Sequence, residues 1–481
     1  MPAHESLTHA LDYADRWLAY RRWRLAIPGV QVAVRVGGEL LLDAAHGTAD
    51  AATGEALTPA HRFRIASHSK ALAAIAAMRL VDAGRLRLDD EAQQHVQAIR
   101  GTDAGGLLVR ELLSHGGGAV RDGDDVAFWH LAGDFPDAER LLDLARAGVQ
   151  RVPASTEFKY SNIGFGLLGL VIEAVTGTDY ADALDALVVE PLGLAATRAD
   201  VGGDGPLVAG HSALHSHRER TPLGSPATGA LAAATGALST AAELSDVLRT
   251  VADADDRLLL AASRRRMRQQ LWSTTGRDGG TAGYGLGLML REIDGRTWVG
   301  HGGAWTGQAT RTLVDAERDV VVSVLTNAID GGAEELAVGV ARIVGTALGD
   351  DAGLDDRGLE ADAALEPSGP ARSGDSGALA LLRSFEGSFS SIWGRVDVVE
   401  LGGRLLAIAP TAPDPLQAVD VLTPEGDDRV RIAAATGMGS SHEHAIAERD
   451  AQGRVVRWRG AWRMEAVPAV PEQTSAAQPA A

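Results

Sequence analysis

The feature that most constrains this chain is a short polar segment, Ser67-His68-Ser69-Lys70, at the point where extended sequence meets an apolar run. Residues 71–81 are almost all apolar or small, and Gly84 follows as a suitable helix-ending residue. A run of this kind predicts a buried helix. Because a lysine is rarely buried unless it has a partner, Lys70 in the first turn of this helix is expected to have one.

The serine and the lysine are three residues apart, which places them on one face of a helix. A serine hydroxyl is a poor nucleophile at neutral pH unless a base lies within hydrogen-bond reach, and Lys70 is the nearest candidate. The helix start also offers free backbone N–H groups to a developing negative charge. The segment therefore indicates an activated serine, although this spacing alone is also found on ordinary solvated helix faces.

Two more polar motifs follow far along the chain. Tyr160-Ser161-Asn162 lies between a turn-like segment and a second apolar run at 163–175, so it is predicted to be a loop that enters a helix. His301-Gly302-Gly303 lies between predicted strands at 297–300 and 309–314. Taken singly, each motif also has an ordinary structural explanation: a core tyrosine, an asparagine helix cap and a histidine in a turn.

The three motifs, in this order, resemble the serine β-lactamase and penicillin-binding-protein superfamily, specifically its class-C-like branch of D-aminopeptidases, esterases and related hydrolases. That branch carries S-x-x-K, then Y-x-N, then K-T-G or H-x-G. The resemblance extends over about residues 5–350. Four further segments share it: VRELLSH at 109–115, GALST at 236–240, YGLG at 284–287 and VLTN at 324–327.

The resemblance implies a set of site residues. The catalytic residues are Ser67, Lys70 and Tyr160; the substrate-binding residues are Asn162, His301, Gly302 and Gly303; and the oxyanion hole is formed by the backbone N–H groups of Ser67 and Ala304. Asn162 is expected to hold the substrate amide or Lys70, and His301 to contact substrate or Tyr160. Whether Lys70 or a Tyr160 phenolate is the base stays open, because coupled groups need not have separable roles.

The third motif departs from the β-lactamase pattern, because His301 stands where a lysine is usual. A lysine is a permanent cation that suits a substrate carboxylate, whereas a histidine with its ordinary pKa near 6.5 is mostly neutral at pH 7. This difference favours aminopeptidase-like or esterase-like activity over β-lactamase activity.

We therefore expect a serine hydrolase that acts through an acyl-enzyme on a small amide or peptide, as D-aminopeptidases do. A carboxylic esterase of the same family is the alternative. An alternative of another class is a non-catalytic penicillin-recognising receptor or binding protein. The complete set of motif residues argues against such a receptor, because a pure binding protein could lose any of them.

The hydrophobic pattern predicts an α+β fold. In chain order it predicts a helix at 7–24, strands at 30–36 and 39–45, strands between 284 and 326, and a helix at 334–348. Helical and loop-rich sequence fills about 85–275. An antiparallel sheet flanked by helices, with a helical insertion, is also what the resemblance implies, and it places the site between sheet and insertion.

The composition changes after residue 350. Residues 351–378 are acidic and interrupted by proline and glycine, which predicts a linker that follows a hydrolase domain at 1–350. Residues 379–468 contain a second hairpin and an alternating strand, which predict a small antiparallel β domain. This domain resembles the lipocalin-like barrels appended to some members of the superfamily. Residues 469–481 are expected to be disordered.

Charge and composition narrow the range of partners. The formal net charge of −19 argues against nucleic-acid binding, which needs a basic surface. The chain has no cysteine, so disulfides and thiolate metal sites are excluded. Residues 1–24 lack the apolar core of a signal peptide, and no apolar run approaches the roughly 18 residues of a membrane span. We therefore expect a cytoplasmic protein with no cofactor, no metal and no membrane partner, which binds a small-molecule or peptide substrate and is able to form homo-oligomers.

Two other motif-like strings are given structural explanations. The string GFGLLG at 164–169 matches G-x-G-x-x-G but lies within an apolar helix, so helix packing explains its glycines better than a dinucleotide site does. His442-Glu443-His444 places two imidazoles on one face of a predicted strand, but no third ligand lies nearby, so no metal site is expected.

Overall fold

A computed structural model describes residues 2–123, 125–214, 219–275, 281–349, 376–401, 404–409, 419–435 and 439–467. Its helices are α1 (Pro2–Arg24), α2 (His68–Asp82), α3 (Ala92–His95), α4 (Val109–Ser114), α5 (Ala138–Ala147), α6 (Asn162–Thr176), α7 (Tyr180–Leu184), α8 (Glu190–Leu192), α9 (Ala241–Arg249), α10 (Ala261–Arg268), α11 (Ala333–Ala347) and α12 (Ser376–Arg383).

Its strands are β1 (Gly29–Val36), β2 (Glu39–Asp50), β3 (Glu55–Ala56), β4 (Phe63–Arg64), β5 (Gly210–His211), β6 (Pro222–Leu223), β7 (Leu238–Ser239), β8 (Trp272–Thr275), β9 (Thr281–Tyr284), β10 (Met289–Ile293), β11 (Arg296–Trp305), β12 (Gln308–Asp315), β13 (Val320–Thr326), β14 (Gly387–Ser391), β15 (Gly394–Leu401), β16 (Arg404–Ile408), β17 (Val419–Pro424), β18 (Arg429–Ala434), β19 (His444–Arg449), β20 (Val455–Gly460) and β21 (Met464–Val467).

A nine-stranded sheet forms the centre of the first domain, in the order β3-β2-β1-β13-β12-β11-β10-β9-β8. Its neighbouring strands pair antiparallel, and the N-terminal strand β1 lies beside β13, with Val32 opposite Val324. The predicted β1–β2 hairpin is confirmed. Gly37 and Gly38 both have positive φ at its turn, which is the conformation that the tightest hairpins require. The sheet therefore joins sequence from both ends of the domain, as predicted.

Helices cover both faces of this sheet. On one face, α1 and α11 pack together over a core that includes Leu18, Val32, Val322 and Val340. On the other face, α2 and α9 contact the sheet, and α2 is buried along almost its whole length because its side chains are small and apolar. α2 therefore lies between the sheet and the helical insertion.

Within the insertion, α6 contacts α2 and packs closely on the segment at 229–236. A Cβ at Gly166 would lie 2.9 Å from a methyl carbon of Leu231, and one at Gly169 would lie 3.1 Å from Ala233. These glycines therefore serve helix packing, as their setting in the sequence indicated. Within the described parts of the chain, no single helix has the length and apolar character of a membrane span; α6 and the Tyr180–Leu192 segment meet that criterion only as a pair bent by 78°.

The C-terminal strands β14 to β21 close into an eight-stranded barrel. Its core includes Phe385, Phe389 and Trp458, and the predicted hairpin is the β15–β16 pair. Helix α12 begins at residue 376, so the last three residues of the predicted linker are helical. Leu381 and Leu382 of this helix pack on the barrel core, which explains the earlier start. The predicted linker at 351–375 and the predicted tail at 469–481 lie outside the described residues.

One predicted boundary is wrong in a way that matters for the site. The strand predicted to end at residue 300 continues as β11 to Trp305, so the His-Gly-Gly motif lies within a strand and not in a turn. Gly302 pairs with Arg311 and Gly303 with Thr310 across β12. The paired neighbour strand keeps these glycines extended.

Candidate active site

Ser67 lies immediately before α2 and already has helical backbone angles, with φ −63° and ψ −7°. It is partly exposed, whereas Ala66 and His68 on either side are fully buried. Ala66 has a φ of 50°, a left-handed conformation that is costly for a residue other than glycine. No hydrogen bond within the described residues engages the Ser67 backbone N–H. The chain thus presents both the hydroxyl and a free N–H at the start of a helix.

Lys70 is fully buried and directs its amine at Ser67. Its Nζ lies 3.3 Å from Ser67 Oγ, 2.6 Å from Asn162 Oδ1 and 2.8 Å from the Ala234 carbonyl oxygen. Burial, and then the nearby Arg121 guanidinium, lower the pKa of Lys70 well below its ordinary value of 10.5. A neutral amine has two N–H groups and one lone pair. The two shorter contacts can take both N–H groups, which leaves the lone pair facing the Ser67 hydroxyl.

Tyr160 packs its ring beside this amine, with Lys70 Nζ 4.6 Å from the ring centroid. Its hydroxyl is buried and forms no hydrogen bond of good geometry among the described residues, although the Ser67 hydroxyl is close enough to act on its pKa. Burial raises the pKa of Tyr160, and the Ser67 hydroxyl and Arg121 offset only part of that rise. At neutral pH the phenol therefore keeps its proton and has an O–H group to donate.

Asn162 is the first residue of α6, and the adjacent Ser161 caps that helix by accepting the Gly164 N–H. The structure places the Asn162 side chain against Lys70 and also against Asp122, whose Oδ1 accepts from Asn162 Nδ2 at 2.6 Å. Because Asp122 fixes the amide, the amide oxygen points to the lysine.

Asp122 was missed by sequence reasoning. Its Oδ1 also accepts from the Trp129 indole at 2.9 Å, and its Oδ2 accepts from the Arg121 guanidinium. The side chain is almost completely buried. No local pattern marks this aspartate, because two of its three partners, Trp129 and Asn162, are not adjacent to it in the chain.

His301 is fully buried in β11 and is hydrogen-bonded to a second tyrosine, Tyr284. Its Nδ1 lies 2.6 Å from the Gly302 carbonyl oxygen and its Nε2 lies 3.1 Å from Tyr284 Oη. A carbonyl only accepts, so the proton is assigned to Nδ1 and the Tyr284 hydroxyl donates to Nε2. Burial, followed by His68 and Lys70, lowers the pKa of His301 well below its ordinary value of 6.5. The imidazole is therefore neutral at pH 7.

The glycines of β11 allow the strand to approach the nucleophile. A Cβ at Gly303 would lie 2.1 Å from the carbonyl oxygen of Ile65 and 2.4 Å from Thr310 Oγ1. Only a residue without a side chain fits between β11 and the segment that leads to Ser67. Ala304 follows on the same strand, and its predicted contribution to an oxyanion hole with the Ser67 N–H stays a prediction.

His115 is a further residue that the sequence did not identify as part of the site. Its ring lies 4.2 Å from the Tyr160 ring and 4.9 Å from the Tyr284 ring, between centroids. Its Nδ1 accepts the Ser161 N–H at 3.1 Å, so it supports the loop that carries Tyr160. His115 and Tyr284 both lie in segments that share the family resemblance, which was the only available signal. No group of metal-ligating side chains that could hold an ion is found among the residues that the structure describes.

A protein-family model described as Beta-lactamase matches residues 14–343. The chain belongs to the beta-lactamase family. It is 30% identical over 334 residues to penicillin-binding protein 4 of Amycolatopsis lactamdurans, an alignment that covers 63% of this chain and 81% of that protein. It is 33% identical over 204 residues to esterase EstB of Burkholderia gladioli, covering 39% of this chain and 50% of the esterase.

Solved structures share the architecture of this beta-lactamase family member. The crystal structure of SurE covers 96% of this chain and 100% of its own, at 24% identity and a TM-score of 0.64. An octameric penicillin-binding protein homologue from Pyrococcus abyssi covers 94% and 99%, at 20% identity and a TM-score of 0.62. The D-amino acid amidase of Ochrobactrum anthropi covers 70% and 99%, at 23% identity and a TM-score of 0.58. These likenesses show the fold, and the family match shows a serine hydrolase.

Proposed function

We propose that this hydrolase cleaves a small amide or peptide through an acyl-enzyme at Ser67, in the manner of a D-aminopeptidase. The observation that carries the proposal is the buried amine of Lys70, 3.3 Å from Ser67 Oγ, with both of its other neighbours acting as acceptors. Such an amine can take the hydroxyl proton as the oxygen attacks.

In the acylation step, Ser67 Oγ bonds to the substrate carbonyl carbon while its proton passes to Lys70 Nζ. The negative charge on the carbonyl oxygen is met by the N–H groups of Ser67 and Ala304, and one such donor is commonly worth about 10²–10³ in rate. The carbon–nitrogen bond then breaks, and the leaving nitrogen takes a proton. Water later attacks the carbonyl carbon of the acyl ester while Lys70 accepts a water proton; the bond from that carbon to Ser67 Oγ then breaks, Lys70 returns the proton to Oγ, and the carboxylic acid leaves.

The protonated phenol of Tyr160 favours an amide substrate. An amine leaves only when its nitrogen is protonated, and the unpartnered Tyr160 hydroxyl beside Lys70 can supply that proton and regain it from the lysine. An ester has a better leaving group and needs this donor less. A carboxylic ester is the second candidate because the chain is 33% identical to esterase EstB over the matched segment.

The neutral, buried His301 argues against penicillins as preferred substrates. A lysine at this place would offer a permanent cation to a carboxylate, whereas the His301 ring is already bonded to Tyr284 and to a backbone carbonyl. The lowered pKa of Lys70 supports acylation of Ser67, which a penicillin receptor of this fold could also undergo, so release of the acyl group by water is what distinguishes a hydrolase from such a receptor.

A turnover panel tests the proposal. The purified protein is assayed with D- and L-amino-acid p-nitroanilides, p-nitrophenyl esters and a chromogenic cephalosporin. We expect hydrolysis of a D-amino-acid p-nitroanilide with the highest kcat/KM among the amides, and a cephalosporin rate far below it. Ester turnover without any amide turnover would favour the esterase, and cephalosporin hydrolysis as efficient as that of the best ester or amide would contradict the argument from His301.

Cytoplasmic localisation and self-association are further parts of the proposal. The Pyrococcus abyssi homologue of the same fold is described as octameric, which supports testing this chain for homo-oligomers. Light scattering of the purified chain measures that assembly directly.

A further inference from the structure

A buried ion pair joins the C-terminal barrel to the hydrolase domain beside the active site. Lys159 Nζ lies 2.9 Å from Glu443 Oε1, and the two side chains are only 1% and 4% exposed. Lys159 Nζ also donates to the Ser441 carbonyl oxygen at 2.6 Å. Glu443 Oε2 is buried without a hydrogen-bond partner among the described residues. Because burying charges is costly, a contact that only held two domains together would be more stable with apolar side chains.

Lysine itself is rare in this chain. Of the 45 lysine and arginine residues, only Lys70 and Lys159 are lysines. Both are buried; Lys70 lies in the active site, and Lys159 precedes Tyr160 of the site in the chain. Lysine offers a compact ammonium where arginine offers a larger planar group, so the two are not interchangeable. The buried setting between Glu443 and the Ser441 carbonyl oxygen suits the compact cation.

The residues that Glu443 holds lie directly beside the site. Lys159 precedes Tyr160 in the chain, and Glu443 Oε1 also accepts the backbone N–H of Arg121 at 2.9 Å. The Arg121 carbonyl oxygen in turn accepts the N–H of Asn162 at 2.8 Å. The Arg121 backbone is thus held between a carboxylate of the barrel and the first turn of α6.

A second segment of the barrel is linked to Asp122, the residue after Arg121, by a separate chain of hydrogen bonds. In the β14–β15 turn, the Trp393 indole donates to the Trp129 carbonyl oxygen at 3.3 Å, and the Trp129 indole donates to Asp122. Asp122 follows Arg121 and fixes the Asn162 amide, whose oxygen holds Lys70. Both contacts from the barrel therefore converge on the Asp122–Asn162–Lys70 chain.

We infer that Glu443 is a positioning residue for the hydrolase site: by holding Arg121 and Lys159 it keeps Asp122 and Asn162 in place and so directs the Lys70 amine at Ser67. This inference rests on the proposed role of Lys70. A displacement of about 1 Å at a reacting group can cost about 100-fold in rate.

Two variants of Glu443 separate its hydrogen bond from its charge. Glu443→Ala removes the acceptor of the Arg121 N–H and also the partner of Lys159. Glu443→Gln keeps an oxygen that can accept the N–H and removes only the charge. The matched control is His442→Asn on the same loop. His442 Nε2 lies 2.7 Å from Glu157 Oε1 and so also links the barrel to the insertion, and asparagine tolerates the left-handed backbone at this position, where φ is 64°.

The first readout is the single-turnover rate of Ser67 acylation by a p-nitrophenyl ester, measured as a function of ester concentration for each variant. The melting temperature of each variant is measured alongside. We expect Glu443→Ala to slow acylation by about 10- to 100-fold at saturating ester while the half-saturating concentration changes little. Glu443→Gln should recover most of the rate, and His442→Asn should stay within about twofold of the unmodified protein, since it leaves the Arg121 contact intact.

The second readout needs no turnover. Protein labelled with ¹³C-lysine gives only two lysine ε-methylene signals, and Lys70→Met identifies the one from Lys70. We expect the Lys70 signal to move in Glu443→Ala and to stay in place in His442→Asn. If the unmodified protein is never acylated, the proposed function fails, and the Lys70 signal still tests the positioning.

Two results would overturn the inference. One is an unchanged acylation rate and an unchanged Lys70 signal in Glu443→Ala, together with a lower melting temperature. That result would mean that the Lys159–Glu443 pair only stabilises the contact between the domains. The other is an equal loss in His442→Asn, which would make barrel docking in general the cause. If Glu443→Ala does not fold, the double variant Glu443→Met and Lys159→Met takes its place, because it replaces the ion pair with apolar side chains and still removes the acceptor of the Arg121 N–H. An unchanged acylation rate and an unchanged Lys70 signal in this double variant would overturn the inference.

Discussion

A lysine without access to water loses its proton readily unless an opposite charge stabilises the cation. The carboxylate of Asp122 acts on Lys70 in that direction, but burial and Arg121 act against it, and burial is the largest of the three effects. The neighbours at Nζ, an amide oxygen and a backbone carbonyl oxygen, are neutral acceptors. The residue is therefore prepared to act as a base at neutral pH.

The pH dependence of acylation follows from this lowered pKa. Acylation needs the neutral amine, so kcat/KM should rise with pH through the lowered pKa of Lys70 and become level well below pH 10.5. Stopped-flow acylation with a neutral p-nitrophenyl ester measures the profile. A rate that keeps rising with pH up to the ordinary lysine value of 10.5 would show that Lys70 is an ordinary cation in the free enzyme.

The free energy of unfolding should also depend on pH because of the lowered pKa of Lys70. In the unfolded chain Lys70 holds its proton up to a pKa near 10.5, whereas in the folded chain it releases the proton at lower pH. The unfolded state therefore binds more protons between these two values, and this residue makes the free energy of unfolding rise with pH, by up to about 1.4 kcal/mol per pH unit. Denaturant titrations from pH 6 to 9 should show the free energy of unfolding of the unmodified protein rise with pH relative to that of Lys70→Met. A constant difference would contradict the assignment.

At the residue scale, the order of the motifs and the family resemblance that they carry pointed to Ser67, Lys70, Tyr160 and Asn162. Ser67 and Lys70 share one helical turn, and Tyr160 and Asn162 lie two residues apart at the start of α6, so each pair forms a local motif. Asp122, His115 and Tyr284 have no such spacing, because each reaches the site from a separate segment. Hydrophobic periodicity tells which face is buried and does not tell which buried polar groups meet there.

At the element scale, the site depends on how closely β11 approaches the start of α2. Gly303→Ala would put a methyl group 2.1 Å from the Ile65 carbonyl oxygen and so push the strand away from the Ser67 segment. We expect kcat to fall at least about tenfold, with a smaller change in KM. The upper limit is the loss of about 10²–10³ in kcat that removal of one oxyanion donor causes. Steady-state kinetics with an ester measure both constants.

The neighbouring glycine is the matched comparison for this variant. A Cβ at Gly302 would have its nearest contact at 3.4 Å, with Arg311 Nη1, which is an ordinary van der Waals distance, so Gly302→Ala should cost far less than Gly303→Ala. Equal losses in both variants would indicate that substrate contact along β11, and not the approach of the strand to Ser67, is what the glycines serve.

The glycines also explain why the sequence placed the end of β11 wrongly. Glycine usually weakens a strand, so the strand pattern at 297–300 does not visibly continue through His301-Gly302-Gly303. The pairing of these residues with β12 overrides that local preference. The hairpin of β1 and β2, by contrast, was predictable because its turn and its alternation are both local.

At the scale of the whole molecule, the two domains were predictable separately and their contact was not. The barrel was expected from alternating strands after the acidic segment, and the closed barrel is found. Nothing in the pattern around Glu443 showed that it would meet Lys159, because the two residues are 284 positions apart in sequence. In the sequence, His442-Glu443-His444 was notable only for two imidazoles that could lie on one face of a strand. In the structure, its glutamate forms an ion pair with Lys159 of the other domain.

The most direct test of the account is the mass of the protein during turnover. Intact-protein mass spectrometry of a rapidly quenched reaction with a p-nitrophenyl ester should show one added acyl group, located on Ser67 by peptide mapping, which decays as product forms. Ser67→Ala should fold, show no adduct and lose turnover, because its hydroxyl is the only covalent participant. An adduct on another residue, or wild-type turnover by Ser67→Ala, would contradict the assignment of Ser67 as the nucleophile.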